Sequence, residues 1–295
     1  MNKKDLLSLG FEEKLEETKR LIKEWYEYYN GNVYVGFSGG KDSTVLLHIV
    51  RSMYPEVPAV FLNTGLEFPE VMKFVRSVDN VVMIRPKMPF KDVLKRYGYP
   101  IISKEQSQYI YQFRHAESEK TKELRWNGNK RGLGKISEKW KYLVTEFPWL
   151  KISHKCCDVL KKEPTRRYEK ETGRKPMIGT MASESRIRKT QFHTQKINNF
   201  DTTRPMSKPI FFWNEGDIYK YVRDFDVKVS EIYKMGYKRT GCMFCMYGLH
   251  LEKGDNRFQR MRVTHPKLYD YCMNKLGLKL VIDIYLKWRL KNVRR

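Results

Sequence analysis

The stretch VYVGFSGGKDSTVLLHIV, residues 33–50, constrains the fold more than any other part of the chain. Residues 33–37 alternate and are rich in β-branched and aromatic side chains, which predicts a buried strand. Residues 44–50 are apolar at helical spacing, which predicts a helix. Ser38, Gly39, Gly40, Lys41, Asp42 and Ser43 then make a tight strand-to-helix turn. Gly39 and Gly40 are expected to take positive φ and to let a ligand approach the backbone. Free N–H groups at the new helix N-terminus, with Lys41 beside them, favour an anion, so the turn reads as a phosphate cradle. It is not a Walker A loop, which follows Gly-x-x-x-x-Gly-Lys-Ser/Thr. Here three residues separate Gly36 from Gly40, and Asp42 follows Lys41.

The surrounding pattern repeats the strand–helix alternation. Residues 58–64 read as a second strand, 68–78 as a helix with Pro69 near its start, 81–86 as a third strand, and 90–97 as a helix closed by Gly98. A preceding amphipathic helix over 12–29 ends at Asn30-Gly31-Asn32. The expected fold is α/β, a parallel twisted sheet with helices on both faces, followed by a mostly helical C-terminal part. Ligands on such sheets sit at the carboxyl ends of the strands, where Ser38 and the Asn63-Thr64-Gly65 segment fall. Beyond residue 100, helices are expected over 103–118, over 158–172 with Pro164 as a complication, and over 214–225 with Asn214 as N-cap. KPMIGTMA reads as a strand. Residues 253–276 read as helical pieces and 280–293 as a basic amphipathic helix, with Val281, Ile284 and Trp288 as core contacts. The expected organisation is an N-terminal helix (1–32), a nucleotide-binding α/β domain (33–226) with a basic insertion (119–141), and a cysteine-containing helical region (227–295).

Net charge is +24, more than solubility requires, and implies a polyanionic partner, most simply nucleic acid. Residues 120–141 carry eight Lys/Arg against two Glu, with Trp126, Trp140 and several glycines interleaved. That stretch is expected to be an exposed loop in which Lys130, Arg131 and Lys135 contact phosphate. A solvated basic face is the plainer reading. No run of about 18 apolar residues occurs, so no membrane span is expected. The N-terminus has no signal-peptide core, and a cytoplasmic location is expected. Five cysteines argue for metal or thiol chemistry over a disulfide framework. Cys156 and Cys157 are adjacent, and Cys242 and Cys245 form Cys-x-x-Cys. Four thiolates in two pairs suit zinc or an iron–sulfur cluster, and residue types alone do not choose.

SGGKDS, LNTGLEFPEV, CC, GTMASESRIRK, KPIFFWNEGDIYKYV and YKRTGCMFC follow one another in this order. Together they resemble the phosphoadenosine phosphosulfate (PAPS) reductase family of the PP-loop adenine nucleotide α-hydrolase superfamily, over residues 33–262. The resemblance implies that Ser38, Gly39, Gly40, Lys41, Asp42 and Ser43 hold the phosphates of ATP or a related adenine nucleotide, with Asn63, Thr64 and Gly65 beside it. It implies a 4Fe–4S cluster on Cys156, Cys157, Cys242 and Cys245. Assimilatory reductases of the family end in a tail carrying a Glu-Cys-Gly-(Leu/Ile)-His nucleophile, whereas this sequence ends KLVIDIYLKWRLKNVRR. Cys272 is the spare thiol, in a context that suggests a buried helix position. Asn63 replaces the commoner aspartate.

The leading expectation is an ATP-using, iron–sulfur enzyme of sulfur transfer onto nucleic acid, tRNA or DNA. In it Lys41 neutralises developing charge, Asp42 helps place Mg²⁺, and Arg186 and Arg188 serve the α-phosphate or the acceptor. Glu184 pairing with one of these arginines is the plainer account. A cysteine desulfurase is a candidate sulfur donor and a homodimer a candidate assembly. The alternatives are an adenylyl- or phosphoadenylyl-sulfate reductase and a non-catalytic nucleic-acid-binding subunit.

Overall fold

A computed structural model of the chain describes residues 3–292. Residues 1–2 and 293–295, and the side chain of Trp288, lie outside the described part. The strands are β1 (Val33–Phe37), β2 (Ala59–Leu62), β3 (Val81–Ile84), β4 (Ile101–Ile102), β5 (Lys175–Ile178), β6 (Asn198–Asn199), β7 (Met206–Ser207) and β8 (Met246–Tyr247). The chain folds as two compact units. One comprises residues 3–63, 67–85 and 164–240, the other 64–66, 86–163 and 241–292. These divisions cut across the expected ones at 1–32, 33–226 and 227–295.

The first unit holds a six-stranded sheet in the order β3-β2-β1-β5-β7-β6. β1 pairs in parallel with β2 and β5, β2 with β3, and β5 with β7, while β6 runs antiparallel to β7. Val33, Tyr34, Val35 and Phe37 of the central strand are buried, as a strand flanked on both edges should be. Successive strands run outward from β1 to β3, and the chain then returns on the other side of β1 as β5. Strand order therefore reverses at the β1/β5 boundary, the place where sheets of this kind open a ligand crevice.

Helix Lys41–Met53 leaves β1 and buries Val45, Leu46, Ile49 and Val50. Helix Phe11–Tyr28 is part of this unit rather than a separate N-terminal segment, and it buries Leu15, Leu21, Ile22 and Trp25. The Thr18 hydroxyl donates to the Pro209 carbonyl (3.2 Å) and accepts from the Trp213 indole N–H (2.9 Å). Lys14, which the helical pattern leaves among the polar residues, is 4% exposed and pairs with Asp217 at 2.8 Å. Asn214 caps helix Glu215–Asp224, its side chain accepting from the Asp217 N–H at 3.2 Å. Deep in the unit, the Tyr34 hydroxyl donates to Glu169 (2.7 Å), which also accepts two bonds from Arg204.

The second unit is mostly helical. β4 and β8 pair in parallel over two residues each, and Tyr99 bridges Ile152. Ser103 caps helix Lys104–His115, accepting from the Gln106 N–H. The basic stretch is only in part the exposed loop expected of it: residues 128–137 form neither helix nor strand, and Lys130 and Arg131 there are exposed. It opens with helix Glu119–Asn127. Arg125 turns inward to donate to Gln112 (2.7 Å) and to the Gly134 carbonyl (2.6 Å), and Ile136 and Trp140 are buried. Pro164 is accommodated by a π-helical turn, Asp158–Lys162, that precedes helix Glu163–Thr172. A proline lacks the N–H that a continuous helix would use there. Val281 and Ile284 of helix Leu278–Asn292 are buried. Among the described residues no helix is long and apolar enough to cross a membrane.

Removing one partner of a buried ion pair strands the other charge. Lys14→Ala should therefore lower unfolding free energy by about 3–5 kcal/mol in urea titrations. Lys19→Ala, which breaks an exposed pair with Glu16 on the same helix, should cost less than about 1 kcal/mol. Equal losses would contradict the packing described for this helix.

Candidate active site

The turn between β1 and helix Lys41–Met53 is bonded to itself before any ligand arrives. The Ser43 hydroxyl accepts from the Ser38 N–H (3.1 Å) and donates to the Gly40 carbonyl (2.9 Å), and it lies 3.0 Å from the Ser38 hydroxyl. The Gly40 N–H is directed at the Ser38 hydroxyl (3.3 Å) and the Lys41 N–H at the Tyr233 hydroxyl (2.8 Å). Gly39 takes φ +69°, as expected. Gly40 does not: its φ is −85°, that of an ordinary helix N-cap. Glycine is needed there for space, because a Cβ would lie 2.6 Å from the Thr240 hydroxyl. The sequence reading missed Gly179, just beyond β5. A Cβ at that position would sit 2.9 Å from the Asp42 carbonyl oxygen.

Lys41 and Asp42 occupy the first turn of the helix. The Lys41 ammonium is largely buried, 3.2 Å from Glu215 and 3.6 Å from Asp42, over the rings of Tyr219 and Tyr233. Burial pulls its pKa down, but Asp42, Tyr233 and Glu215 outweigh this and hold it above the ordinary lysine value. Burial pushes the Asp42 carboxyl above its ordinary range, against the pull of Lys41. Asp42 Oδ1 is buried without a hydrogen-bond partner. This oxygen faces the Lys41 ammonium at 3.6 Å, and a carboxylate so placed at a phosphate cradle is chemically suited to a cation. Arg188 bonds Glu184, and Arg239 reaches the Glu184 carbonyl (3.3 Å). Burial and then the nearby Arg239 hold the Arg188 pKa below the usual guanidinium value. Arg186, at the start of helix Arg186–Thr194, is exposed. Glu215, Tyr233 and Arg239 were not anticipated as site residues, because each reaches the turn from a distant part of the sequence.

The four cysteines of the two pairs belong to the second unit and line one small cavity of about 30 Å³ with Leu66, Phe90, Pro100, Leu160 and Lys161. Cys156 and Cys157 begin the helical segment that runs into the π turn, with their sulfurs 3.9 Å apart. Cys242 and Cys245 share a turn closed by a bond from the Cys245 N–H to the Cys242 carbonyl (3.1 Å). The Met243 N–H between them donates to the Leu66 carbonyl (2.9 Å), so Leu66 braces the Cys-x-x-Cys turn. The Cys156 contact, and then Lys161 and Lys104, hold the Cys157 thiol below its usual pKa, whereas burial pushes Cys245 up to about 11. No cysteine forms a disulfide. Among the described residues no group of three or more His, Cys, Asp and Glu side chains forms a site for a single metal ion. Cys272 stands apart, fully buried, its thiol pushed up to about 12 by burial.

The Asn63 N–H donates to the Ile84 carbonyl (2.9 Å), the Thr64 hydroxyl accepts from the Leu66 N–H (3.2 Å), and Gly65 takes φ +74°. Lys130 and Arg131 are exposed in a turn held by Asn129, whose side chain accepts from the Arg131 and Leu133 N–H groups. Lys135 is half-buried and pairs with Glu138 at 3.3 Å. Trp140 is buried and Lys141 lies 4.5 Å from the Trp126 ring centre. The tryptophans of this stretch therefore serve packing.

A family model described as the phosphoadenosine phosphosulfate reductase domain matches residues 32–247. The chain belongs to the PAPS reductase family. An uncharacterized Methanocaldococcus jannaschii protein is 27% identical over 90% of this PAPS reductase family chain and 53% of its own length. A second from that organism is 26% identical over 86% and 43%. The chain thus spans about half the length of these relatives. An adenosine 5'-phosphosulfate reductase of Staphylococcus epidermidis is 23% identical over 78% of each chain. A phosphoadenylyl-sulfate reductase structure from Candida auris, a phosphate complex, is 18% identical over 81% of this chain and 91% of that one, with a TM-score of 0.45.

If the close approach of Gly179 to the helix shapes the turn, Gly179→Ala should cost about 1–3 kcal/mol in unfolding experiments. Gly241→Ala, where a Cβ meets nothing within 4 Å, should change stability by less than about 0.5 kcal/mol. A neutral Gly179→Ala would show that the contact is not needed.

Proposed function

We propose that this PAPS reductase family chain binds ATP at the β1 turn, holds a 4Fe–4S cluster on Cys156, Cys157, Cys242 and Cys245, and supports sulfur transfer onto nucleic acid. The observation that carries the reading is the convergence of four of the five cysteines on one cavity. An all-thiol donor set of two pairs fits an iron–sulfur cluster. When bound, the cluster supplies one-electron redox chemistry.

The chain's own residues have distinct tasks. Backbone N–H groups of the turn and the Ser38 and Ser43 hydroxyls hold phosphate. Lys41 offsets charge as it moves onto pyrophosphate. Asp42, whose buried Oδ1 has no hydrogen-bond partner, is suited to a Mg²⁺ that accompanies the nucleotide. Arg188 is near enough to influence Asp42 and is suited to the α-phosphate, with Arg186 beside it on the same helix. An acceptor oxygen attacks the α-phosphorus, the bond to pyrophosphate breaks, and a sulfur nucleophile then displaces AMP from the adenylated acceptor. A cysteine desulfurase is a source of that sulfur by chemistry. The net charge of +24, with Lys130, Arg131 and Lys135 as candidate phosphate contacts, supports a polyanionic acceptor.

A second reading, reduction of adenylylated sulfate, is favoured by the names of the relatives that are adenosine 5'-phosphosulfate reductases. It requires a thiolate nucleophile, and buried Cys272 is poorly suited to that task. In this reading the thiol comes from outside the described residues.

Protein purified without oxygen should be brown, with broad visible absorption. Cys157→Ser and Cys242→Ser should each lose the colour, and Cys272→Ala should keep it. Colourless protein with one zinc per chain would overturn the cluster. ATP with an RNA or DNA acceptor should yield pyrophosphate; thiol-dependent sulfite from adenosine 5'-phosphosulfate, without that pyrophosphate, would establish the second reading instead.

A further inference from the structure

The second unit has a further open cavity, walled by residues from the 91–99, 149–151 and 274–277 segments. It has a volume of about 470 Å³, within the ~300–1,000 Å³ span of small-ligand sites. Lys91, Lys95, Lys151 and Lys275 line it, together with Tyr99 and Trp149. No acidic side chain lines it, and the four lysines form no ion pair with described residues. Lys91 and Lys95 are four apart on helix Phe90–Tyr97, so they share a face. Like charges at that spacing repel, which an anion between them would reverse. Lys151 is tied back by a bond from its ammonium to the Lys95 carbonyl (3.2 Å). Lys275 closes the far side at the end of the turn Tyr271–Lys275, where Gly277 at φ +71° redirects the chain.

Trp149 is 59% exposed, unlike the buried Trp25, Trp140 and Trp213. Phe147 meets its ring edge-on at 6.1 Å. A large exposed indole rimmed by unpaired lysines is poorly explained by packing. Next to this cavity is a second of about 410 Å³, which shares Lys151 and adds Arg96, Arg114 and His115 without an acidic side chain. Arg114 is engaged by the Leu143 and Phe147 carbonyls, so it fixes the segment that carries Trp149. Trp149 lines the first of these basic cavities, and its neighbour Pro148 lines the second.

We propose that these adjoining cavities form a binding groove for single-stranded nucleic acid, with a base stacked on Trp149 and backbone phosphates on Lys91, Lys95, Lys151 and Lys275. Four lysines in the first cavity, with Arg96, Arg114 and His115 in the second, suit a chain of phosphates better than a single one. An indole offers its face only to an unpaired base, which favours single strands over duplex. The inference names a contact surface for the acceptor in the proposed function, and it rests on that reading only for the identity of the strand as acceptor. Binding is read separately from chemistry.

The test uses fluorescein-labelled single-stranded RNA and DNA of about 12 nucleotides, within the site sizes of such grooves, and a duplex of the same sequence. Anisotropy titrations are run over a salt series on the parent protein, Trp149→Ala, the triple variant Lys91→Ala, Lys95→Ala, Lys275→Ala, and a control triple variant of exposed lysines elsewhere, Lys19→Ala, Lys23→Ala, Lys196→Ala. Circular-dichroism melting checks that each is folded. Trp149→Ala should weaken single-strand binding by about 5- to 100-fold. The groove triple variant should flatten the log–log salt slope by about two units, at ~0.7 per phosphate contact. Single strands should bind more tightly than duplex. Three results would each overturn the proposal: unchanged affinity in folded Trp149→Ala; no larger slope change for the groove variant than for the other triple variant; or displacement of the strand by AMP alone with no gain in affinity from strand length, which would assign the cavity to a small phosphorylated molecule. Pyrophosphate release from ATP, measured on the same variants, reports on the proposed function independently of all three.

Discussion

At the carboxyl end of β1, two glycines permit approaches that a Cβ would obstruct. Gly40 lies against Thr240, and Gly179 lies against the carbonyl of Asp42. These contacts position the first turn of helix Lys41–Met53 at the point where strand order reverses. They also place Lys41 over the rings of Tyr219 and Tyr233 and leave one Asp42 oxygen buried without a hydrogen-bond partner. A methyl group added at Gly40 would displace the Thr240 hydroxyl; one added at Gly179 would press on the Asp42 backbone and move the turn. The helix N-terminus, the buried charges and the hydroxyls of Ser38 and Ser43 would move with it. The chemistry proposed for the chain depends on this steric arrangement before it depends on any charged group.

The parts of the fold with local periodicity were legible in the sequence. β1 and its helix, the helix from Phe11 and the Asn214 cap all follow from alternation, helical spacing and capping chemistry within a short window. What the sequence concealed was pairing at a distance. Lys14 looks like one of many surface lysines until Asp217 is brought against it. Gly179 looks like a strand-end glycine until the Asp42 carbonyl appears beside it. Residues 86–163 pair with 241–292 through strands of two residues, too short to announce themselves by alternation. The basic stretch misled in another way. Its composition suggests an exposed loop, but Arg125 spends its hydrogen bonds inward, and Ile136 and Trp140 join the core.

The cysteines illustrate the same division. Their spacing marked two pairs as candidates for one site, and both pairs line one cavity. The role of Leu66 was hidden, because a main-chain bond to Met243 leaves no trace in residue type. Cys272, by contrast, was readable as a buried residue from its neighbours, and it is fully buried. Trp149 went unnoticed altogether. It lines a cavity whose walls come from three separated segments, 91–99, 149–151 and 274–277.

The central claim is that the turn after β1 binds an adenine nucleotide through residues whose charges the fold has already buried. Isothermal calorimetry of ATP with Mg²⁺ against the folded protein tests it most directly. The account predicts one ATP per chain, with affinity at least about tenfold weaker in Lys41→Ala and in Asp42→Ala, a change of ~1.4 kcal/mol or more. Parent-like affinity in both variants, or no binding to the parent, would contradict it.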